Sequence, residues 1–350
     1  MPARVSRANK SVAKEPASKS PTPGEPLLAA PARTEFRRRL LAWYDAYRRE
    51  LPWRRDGDPY RVWLSEIMLQ QTRVAAVIEK YAQFLALFPT VERLAAAPQP
   101  LVLAAWSGLG YYRRARALHE AARVVVGERG GRLPATAQEW RELPGVGRYT
   151  SAAIASIAFG EKLAVVDGNV ERLAERLLGR RLASAEVWDF AQQVLSAQRP
   201  GDFNQAMMEL GATVCVPREP KCRLCPVAGA CATRGTLPAV EKALRTTKAT
   251  VFYALDCRDG KVRLTQRPKA AAVMPLLWEL PEMPPNGNPP KVWLRLKHSI
   301  TTTNYDVKVV RDTGAKIRNK TEKRIAVTQL GEIPLTGLAR KILRAAEILN

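Results

Sequence analysis

Four cysteines lie close together in this chain, and their thiolates are well suited to bind a metal. Cys215, Cys222, Cys225 and Cys231 follow the spacing C-x6-C-x2-C-x5-C. Thiolates are soft ligands that favour zinc or iron over magnesium or calcium. A zinc ion and an iron–sulfur cluster can both take four cysteines, so the spacing alone does not choose between them. A pair of disulfides is the weaker alternative.

A glycine-rich turn between two helical segments could bind phosphate. Residues 143–149 read Leu-Pro-Gly-Val-Gly-Arg-Tyr, and Leu143, Gly145, Val146 and Gly147 would form the turn. Two glycines permit a tight turn and close backbone approach to a ligand. The next helix would then point its free N–H groups outward, and such an end binds a phosphate oxygen without reading a base. This pattern is typical of a helix-hairpin-helix motif; an ordinary helix connection is the alternative.

Two carboxylates stand where acid–base chemistry is conceivable. Asp167 follows the apolar pair Val165-Val166 and comes just before a predicted helix, some twenty residues after the hairpin. An Asp at that position often serves only as the N-terminal cap, a role that is compatible with catalysis. Glu66 lies within a predicted helix, where the sequence alone favours a solvated carboxylate.

The charge balance predicts a polyanionic partner. The 350 residues include 56 Lys and Arg against 33 Asp and Glu, a net charge of +23, and the sequence pI is near 10.2. Nucleic acid is therefore the leading candidate, although some proteins are basic for solubility alone. Hydrophobic residues make up 46%, which excludes a globally disordered chain. No apolar run approaches the roughly 18 residues that span a bilayer, so we expect no membrane association.

Composition and periodicity divide the chain into four parts. Residues 1–32, rich in Ala, Pro, Ser and Lys, predict a disordered basic tail. Residues 33–232 carry apolar residues at helical spacing between frequent Pro and Gly, which predicts nine or ten short helices. Residues 233–248 form a short charged linker. Residues 249–350 predict a small α+β domain.

The last domain contains alternating segments rich in β-forming residues, followed by one amphipathic helix. Cys257 falls in it and is expected to be an ordinary thiol. The predicted strands lie at about 249–255, 262–266, 292–296 and 305–310, and the helix at 336–349.

These motifs together resemble the MutY family of adenine DNA glycosylases, within the endonuclease III or helix-hairpin-helix superfamily, over about residues 35–350. The match includes Leu-Pro-Trp-Arg at 51–54, the run from Pro59 to Thr72, Trp-Ser-Gly-Leu-Gly-Tyr-Tyr at 106–112, the hairpin, Asp-Gly-Asn at 167–169 and the cysteine loop. The resemblance implies an all-α helix-hairpin-helix glycosylase domain with an iron–sulfur loop, then a MutT- or Nudix-like α+β domain. It also implies a [4Fe-4S] cluster on the four cysteines, with a structural role.

The activity implied by the resemblance is that of a monofunctional glycosylase in base excision repair. Such an enzyme hydrolyses the N-glycosidic bond of adenine mispaired with 8-oxoguanine or guanine in double-stranded DNA, and it is expected to act as a monomer. Endonuclease III-like lyases carry a Lys nucleophile where this chain has Tyr149, and without that amine no Schiff base forms there.

The resemblance also implies roles for the catalytic residues. Glu66 would protonate the departing adenine at N7, which at neutral pH requires that burial raise the pKa of the Glu66 carboxyl. Asp167 would stabilise the oxocarbenium ion on the deoxyribose, directly or by transient covalent capture, and the two carboxyl groups would divide the work as in glycoside hydrolysis. Tyr149 and Asn169 would position Asp167 and the sugar.

Further residues match the family's base-binding and base-displacing positions. Chemistry on a stacked base requires its extrusion, so wedge residues must fill the space that it leaves. One of Tyr111 and Tyr112 is expected to be a core residue. The implied adenine pocket consists of Arg49, Trp53, Arg54 and Glu209, and the implied wedge of Leu69, Gln71 and Tyr111.

The C-terminal domain resembles a Nudix fold through residues 277–281 and through Lys297-His298-Ser299, read as the start of a strand. No Glu-rich helix follows to hold a catalytic metal, so this domain is expected to bind and not to hydrolyse. The family's Phe-Ser-His turn for 8-oxoguanine is replaced here by Ile-Thr-Thr, so the aromatic ring and the histidine of that turn are missing. The implied contacts are His298, Ser299, Ile300, Thr301 and Thr302; the alternative is a domain that only packs on the first.

Three other functions remain open from the sequence. One is a related glycosylase for thymine or uracil opposite guanine, and another is a non-catalytic DNA-binding protein that carries a cluster. The third is a DNA-binding module built on a four-cysteine zinc site. The short linker favours a bacterial type of protein, which would be located in the cytoplasm at the nucleoid.

Overall fold

The computed structural model describes residues 28–238, 246–271, 273–283, 291–300, 302–312 and 321–349. Most of the predicted tail, the middle of the predicted linker and Thr301 lie outside these ranges.

Residues 28–238 form a helical domain with eleven α-helices, slightly more than the Pro and Gly spacing predicts. The start of α2 illustrates the local signals: Pro59 occupies the first turn, and the Asp58 carboxylate accepts a hydrogen bond of 2.8 Å from the Arg61 N–H. The helices are α1 Ala30–Tyr47, α2 Pro59–Leu69, α3 Val74–Leu87, α4 Val91–Ala96, α5 Gln99–Ala105, α6 Arg113–Arg129, α7 Ala137–Arg141, α8 Arg148–Phe159, α9 Gly168–Leu178, α10 Ser184–Val194 and α11 Pro200–Thr213.

The first helix begins before the predicted domain boundary. The sequence assigns residues 30–32 to a tail, but they form the first turn of α1. A proline is tolerated in that turn because its missing N–H would have no partner there. Phe36, Leu40 and Tyr44 bury one face of α1 in the domain. This apolar contact stabilises the helix, although the sequence before it has a polar composition.

Two apolar cores divide the helical domain into lobes. One core contains residues of α2 to α8, including Trp63, Trp106 and Trp140. The other contains residues of α1, α9, α10 and α11, and Cys215, Cys225 and Cys231 pack against it. No helix in the described part of the chain is both long and apolar enough to cross a bilayer.

The C-terminal part is an α+β domain with its own core. Its elements are β1 Thr247–Leu255, β2 Cys257–Arg258, β3 Lys261–Gln266, β4 Trp278–Glu279, β5 Glu282–Met283, β6 Leu294–Ile300, β7 Thr303–Arg311, β8 Glu322–Ala326 and α12 Gly337–Ala345. One sheet has the order β5-β1-β7-β6, and the other has β2-β3-β4 with β8 beside β3. Strand β1 pairs in parallel with β7, and β6 pairs antiparallel with β7, from Leu294↔Val309 to Ile300↔Thr303.

The two domains touch at the start of α6. The Tyr112 hydroxyl donates a hydrogen bond of 2.9 Å to the Leu335 carbonyl, and the Arg116 guanidinium donates to the Pro275 carbonyl. Leu277 is fully buried in the core of the helical domain's first lobe. Side chains of α6 therefore connect the helical domain to the C-terminal domain.

Candidate active site

A cavity of about 820 Å³ opens between the two lobes of the helical domain. The first lobe contributes α2 and the residues before it, and the second contributes the start of α9 and the middle of α11. The sequence-predicted residues that line this cavity are Arg49, Trp53, Arg54, Glu66, Leu69, Gln71, Gly145, Gly147, Tyr149, Asp167, Asn169 and Glu209.

Glu66 lies in the middle of α2 and is buried, contrary to the solvated position that its sequence alone favours. Burial raises the pKa of this carboxyl to about 7, and the nearby charge of Asp167 acts in the same direction, while Tyr149 and Arg54 oppose it. Its Oε2 atom has no hydrogen-bond partner among the described residues. Glu66 is therefore a buried acid that can hold or release a proton near neutral pH.

Asp167 is the N-cap of α9 and lines the cavity at the same time. Its Oδ1 accepts hydrogen bonds from the backbone N–H groups of Asn169 at 2.9 Å and Val170 at 2.8 Å, and its Oδ2 accepts from Asn169 Nδ2 at 2.7 Å. N–H donors at a helix N-terminus stabilise negative charge. The predicted N-cap is thus confirmed, and it leaves the carboxylate lining the cavity, a position compatible with a catalytic role.

Tyr149 lines the same cavity as the two carboxyl groups. Burial raises the pKa of its phenol well above the ordinary value, and the charges of Glu66 and Asp167 add to that rise. Its hydroxyl also lies 3.3 Å from the sulfur of Met208. The neutral phenol has one proton, which it can donate to the Met208 sulfur or to Glu66.

The predicted hairpin connects α7 to α8. Gly145 has a φ of +76°, and a Cβ at this position would stand 2.5 Å from the Cβ of Ala117, so the turn packs too closely on α6 for any other residue. Gly147 is the N-cap residue of α8 and offers no side-chain cap. Leu143 and Val146 are buried beneath the turn. The free N–H groups of α8 begin here, beside the cavity.

Glu209 and two arginines form an ion cluster on the wall of the cavity. The carboxylate is 1% exposed and accepts hydrogen bonds from Arg49 Nε at 2.6 Å and from Arg54 Nη2 at 3.0 Å. Burial alone would raise the pKa of Glu209, but the two guanidinium groups outweigh it and lower that pKa. Trp53 lies beside this cluster and packs edge-on against Tyr81 at 5.4 Å.

The predicted wedge residues occupy two neighbouring turns. Leu69 ends α2, Gln71 follows it with a φ of +55°, and Tyr111 precedes α6 with a φ of +46°. Non-glycine residues rarely adopt these left-handed conformations. The Tyr111 side chain is 50% exposed and does not line the cavity, whereas Tyr112 is buried and is the core residue of the pair.

The four cysteines surround one small cavity beside the second core. Arg176 Nη1 lies 3.2 Å from Cys215 Sγ, and the backbone N–H of Arg234 lies 3.4 Å from Cys231 Sγ, so polar hydrogens already point at two of the sulfurs. Within the described ranges, no group of three or more His, Cys, Asp and Glu side chains is close enough to hold a single metal ion.

The expected 8-oxoguanine contacts that the structure describes lie at or just after the end of β6 and do not line the cavity. Residues 297–299 were expected to start a strand, but β6 begins at Leu294, so they belong to its second half. The Ser299 hydroxyl donates a hydrogen bond of 2.6 Å to Asn304 Oδ1 on β7. Burial lowers the pKa of His298. Ile300 pairs with Thr303, Thr302 follows the strand, and Thr301 is outside the described residues.

Sequence reasoning missed two arginines that connect the segments of the site, Arg114 and Arg172. Arg114 reaches the turns of both Gln71 and Tyr111. Arg172 donates to Asn169 Oδ1 at 2.8 Å and to the Cys215 carbonyl at 2.8 Å, which ties the cavity to the cysteine loop. The contacts of Arg114 with Gln70 and of Arg172 with Cys215 join segments more than forty residues apart, so no local sequence pattern predicts them.

This arrangement suits cleavage of a bond whose leaving group needs a proton. A buried acid with a pKa of about 7 and a capped carboxylate face the same cavity, so one can donate a proton while the other stabilises positive charge. Two Glu or Asp groups in different environments take such separate roles in glycoside hydrolysis.

Comparisons with known proteins agree with this geometry. Residues 64–187 match the family model described as HhH-GPD superfamily base excision DNA repair protein. The chain is 51% identical over 213 residues to an adenine DNA glycosylase of Rattus norvegicus, covering 57% of this chain and 41% of that protein. The human adenine DNA glycosylase gives 51% over 216 residues, 57% of this chain and 40% of that protein. The chain thus spans about two fifths of the length of these relatives.

Solved structures give the same fold. A thermostable thymine-DNA glycosylase is 33% identical with a TM-score of 0.55, covering 58% of this chain and 97% of its own. A non-covalent endonuclease III–DNA complex is 22% identical with a TM-score of 0.51, covering 58% of this chain and 96% of its own. Together with the hairpin, the two carboxyl groups and the cysteine loop, these similarities show that the chain belongs to the HhH-GPD superfamily of base excision DNA repair proteins, and its curated relatives named here are adenine DNA glycosylases.

Proposed function

We propose that this protein is a monofunctional glycosylase that removes adenine mispaired with 8-oxoguanine or guanine from double-stranded DNA. The observation that carries the proposal is the pairing of Glu66, buried with a pKa of about 7, with Asp167, capped by N–H donors, in one cavity. The names of the relatives support adenine as the base.

In the proposed reaction, the duplex backbone binds at the hairpin and adenine enters the cavity beside Glu209 and Trp53. Glu66 protonates the base, the N-glycosidic bond breaks, and Asp167 stabilises the sugar cation. Glu66 then accepts a proton from the attacking water, which restores its acid form. Tyr149 and Asn169 position Asp167 and the sugar, and because Tyr149 supplies no amine, the reaction stops at the abasic site.

The four cysteines fit an iron–sulfur cluster better than a zinc ion. Zinc–sulfur bonds of about 2.3 Å require four sulfurs around one atom, whereas a cubane cluster holds its cysteines farther apart. The thiols surround a common cavity without closing on a single ion, and Arg176 points at one of them. We propose that Cys215, Cys222, Cys225 and Cys231 hold a [4Fe-4S] cluster that stabilises the loop. Visible absorbance with iron and sulfide analysis tests this, because zinc thiolates are colourless.

The C-terminal domain is proposed to be Nudix-like and to sense the base opposite adenine through the end of β6. Support comes from its mixed sheet and separate core. We also propose that the protein is a monomer and that it is located at the nucleoid of a bacterial cell. Thymine opposite guanine is the second candidate substrate, favoured by the structural similarity to a thymine-DNA glycosylase.

Single-turnover cleavage of a panel of duplexes tests the function. The panel carries adenine opposite 8-oxoguanine, guanine or thymine, and thymine or uracil opposite guanine, and alkali reveals abasic sites. We expect excision of adenine opposite 8-oxoguanine and guanine, faster for the former. Equal rates on those two would remove the sensor role, and cleavage of the thymine or uracil duplexes alone would replace the proposed substrate.

A further inference from the structure

Arg114 lies at the point where the two wedge turns meet. Six oxygen atoms stand within hydrogen-bond distance of its two terminal nitrogens. Nη1 reaches the carbonyls of Ile67, Met68 and Gln70, and Nη2 reaches Thr72 Oγ1 and the carbonyls of Leu109 and Gly110.

The first set of contacts closes the C-terminus of α2. The last carbonyls of a helix have no partner within the helix and carry partial negative charge, so a cation there stabilises the end. The contact with Ile67 adjoins Glu66 directly in the chain, and the contact with Gln70 adjoins Gln71. One side of the Arg114 guanidinium therefore fixes the acid's helix and the first wedge turn together.

The second set holds the turn before α6. The carbonyls of Leu109 and Gly110, at 2.9 Å and 3.2 Å, immediately precede Tyr111. The guanidinium carbon also lies 5.5 Å from the Tyr111 ring centre and 5.4 Å from that of Trp106. Since Gln71 and Tyr111 both keep left-handed backbones, the surrounding contacts must hold them in place.

We propose that Arg114 is a positioning residue that fixes Gln71 and Tyr111 relative to each other and to Glu66, so that base extrusion depends on it. This inference rests on the proposed function and adds the residue that assembles its wedge. A planar fork is needed, because two nitrogens must serve two separate turns at once; a lysine retains the charge and offers one nitrogen.

The test measures extrusion without chemistry, in a Glu66→Gln background. The DNA probe carries 2-aminopurine, whose fluorescence rises on unstacking, in place of adenine opposite 8-oxoguanine. A second duplex carries an abasic-site analogue, which has no base to extrude. Arg114→Lys is compared with Arg113→Lys, which makes the same change at the preceding, exposed position of α6.

With Arg114→Lys we expect the fluorescence rise to be lost, and the affinity for the 2-aminopurine duplex to fall about tenfold to a hundredfold relative to the affinity for the abasic duplex. Arg113→Lys should leave both readouts unchanged. Thr72→Val removes one of the six acceptors and should show a smaller loss in the same direction. An Arg114→Lys protein that melts earlier but keeps the fluorescence rise and the affinity ratio would reduce Arg114 to a stabilising residue and overturn the inference.

Failure of the proposed function gives a different result. If adenine is not the substrate base, the parent Glu66→Gln protein itself gives no fluorescence rise with 2-aminopurine. If the parent gives the rise and the Arg114→Lys and Arg113→Lys proteins give it equally, the function stands and the positioning role of Arg114 fails.

Discussion

Gly211 of α11 presses against Asn169 at the start of α9. A Cβ at position 211 would stand 2.6 Å from Asn169 Cβ and 2.9 Å from the Asn169 carbonyl oxygen. Asn169 in turn donates its side-chain amide to Asp167 Oδ2 at 2.7 Å. The absence of a side chain at Gly211 therefore lets two helices approach closely enough to place the carboxylate of Asp167 in the cavity.

Gly211→Ala is expected to impair excision and to destabilise the fold by about 1 to 3 kcal/mol, because the new methyl group must push Asn169 and Asp167 aside. Gly127→Ala is the matched control: Gly127 is also helical, with nothing within 4 Å of an added Cβ. It should stabilise the protein by about 0.5 to 1 kcal/mol and keep its activity. Urea unfolding and single-turnover rates measure both variants; equal behaviour of the two would contradict the packing argument.

The excision rate should fall as pH rises through about 7. Burial raises the pKa of Glu66 to about 7, and only the protonated acid can protonate adenine. Above that pH, the protonated fraction falls about tenfold for each pH unit. Single-turnover rates at saturating protein check this, because they report the chemical step and not DNA binding. A rate that stays constant from about pH 6 to about pH 9 would exclude Glu66 as the rate-determining acid.

Glu66 should also reduce stability at neutral and higher pH. Its pKa is about 7 in the folded chain against the ordinary value of 4.5, so the folded state holds the proton more tightly. Its contribution is fully present below about pH 4.5 and is lost as pH rises through about 7, a difference of about 3 kcal/mol. Glu66→Gln removes the carboxyl group that causes this pH-dependent loss of stability. Its unfolding free energy relative to wild type should therefore increase across that range, and a difference independent of pH would contradict the argument.

Asp167 has two roles that substitutions can separate. Asp167→Asn keeps an oxygen that can accept from the N–H groups of Asn169 and Val170 but loses the charge. We expect a loss of activity of about a hundredfold or more with stability within about 1 kcal/mol. Asp167→Ala should lose the cap as well. Thr90→Ala, which removes the N-cap of α4 away from the cavity, should cost about 1 kcal/mol and leave excision intact.

Breaking the ion cluster of Glu209, Arg49 and Arg54 on the cavity wall should lower the free energy of unfolding by several kcal/mol. Glu209→Ala leaves the Arg49 and Arg54 guanidinium groups without their buried partner, and such losses amount to about 3 to 5 kcal/mol. Glu142→Ala removes a 60% exposed partner of Arg129 and should cost less than about 1 kcal/mol. Urea unfolding of both variants makes the comparison. Similar losses for the two would mean that solvent screens the Glu209 cluster as well.

Much of the site could be predicted because its residues lie in long motifs. The hairpin glycines, Asp167 before its helix and the four cysteines are each recognisable within a few residues of sequence. The cap of Asp167 could be predicted from local rules. The burial of Glu66 could not, because it depends on α8 and the hairpin packing over α2, far away in the chain.

Other features of the structure that the sequence does not predict also depend on contacts between segments distant in the chain. The contacts of Arg114 with Ile67 and Thr72 join segments more than forty residues apart, so no spacing rule indicates them. In the C-terminal domain, the alternating pattern predicts the approximate positions of β1, β3, β6 and β7. Two-residue strands such as β2 Cys257–Arg258 and β4 Trp278–Glu279 form only because they pair with β3. Their local sequence carries too few residues for an alternating pattern.

The most direct test of the account is single-turnover excision of adenine opposite 8-oxoguanine by wild type, Glu66→Gln and Glu142→Gln proteins, with DNA binding measured on the same samples. The account predicts abasic sites with wild type and Glu142→Gln, and none with Glu66→Gln, which should still bind the duplex. Excision by Glu66→Gln at a rate near that of wild type would contradict the central claim that the buried Glu66 carboxyl protonates the departing base.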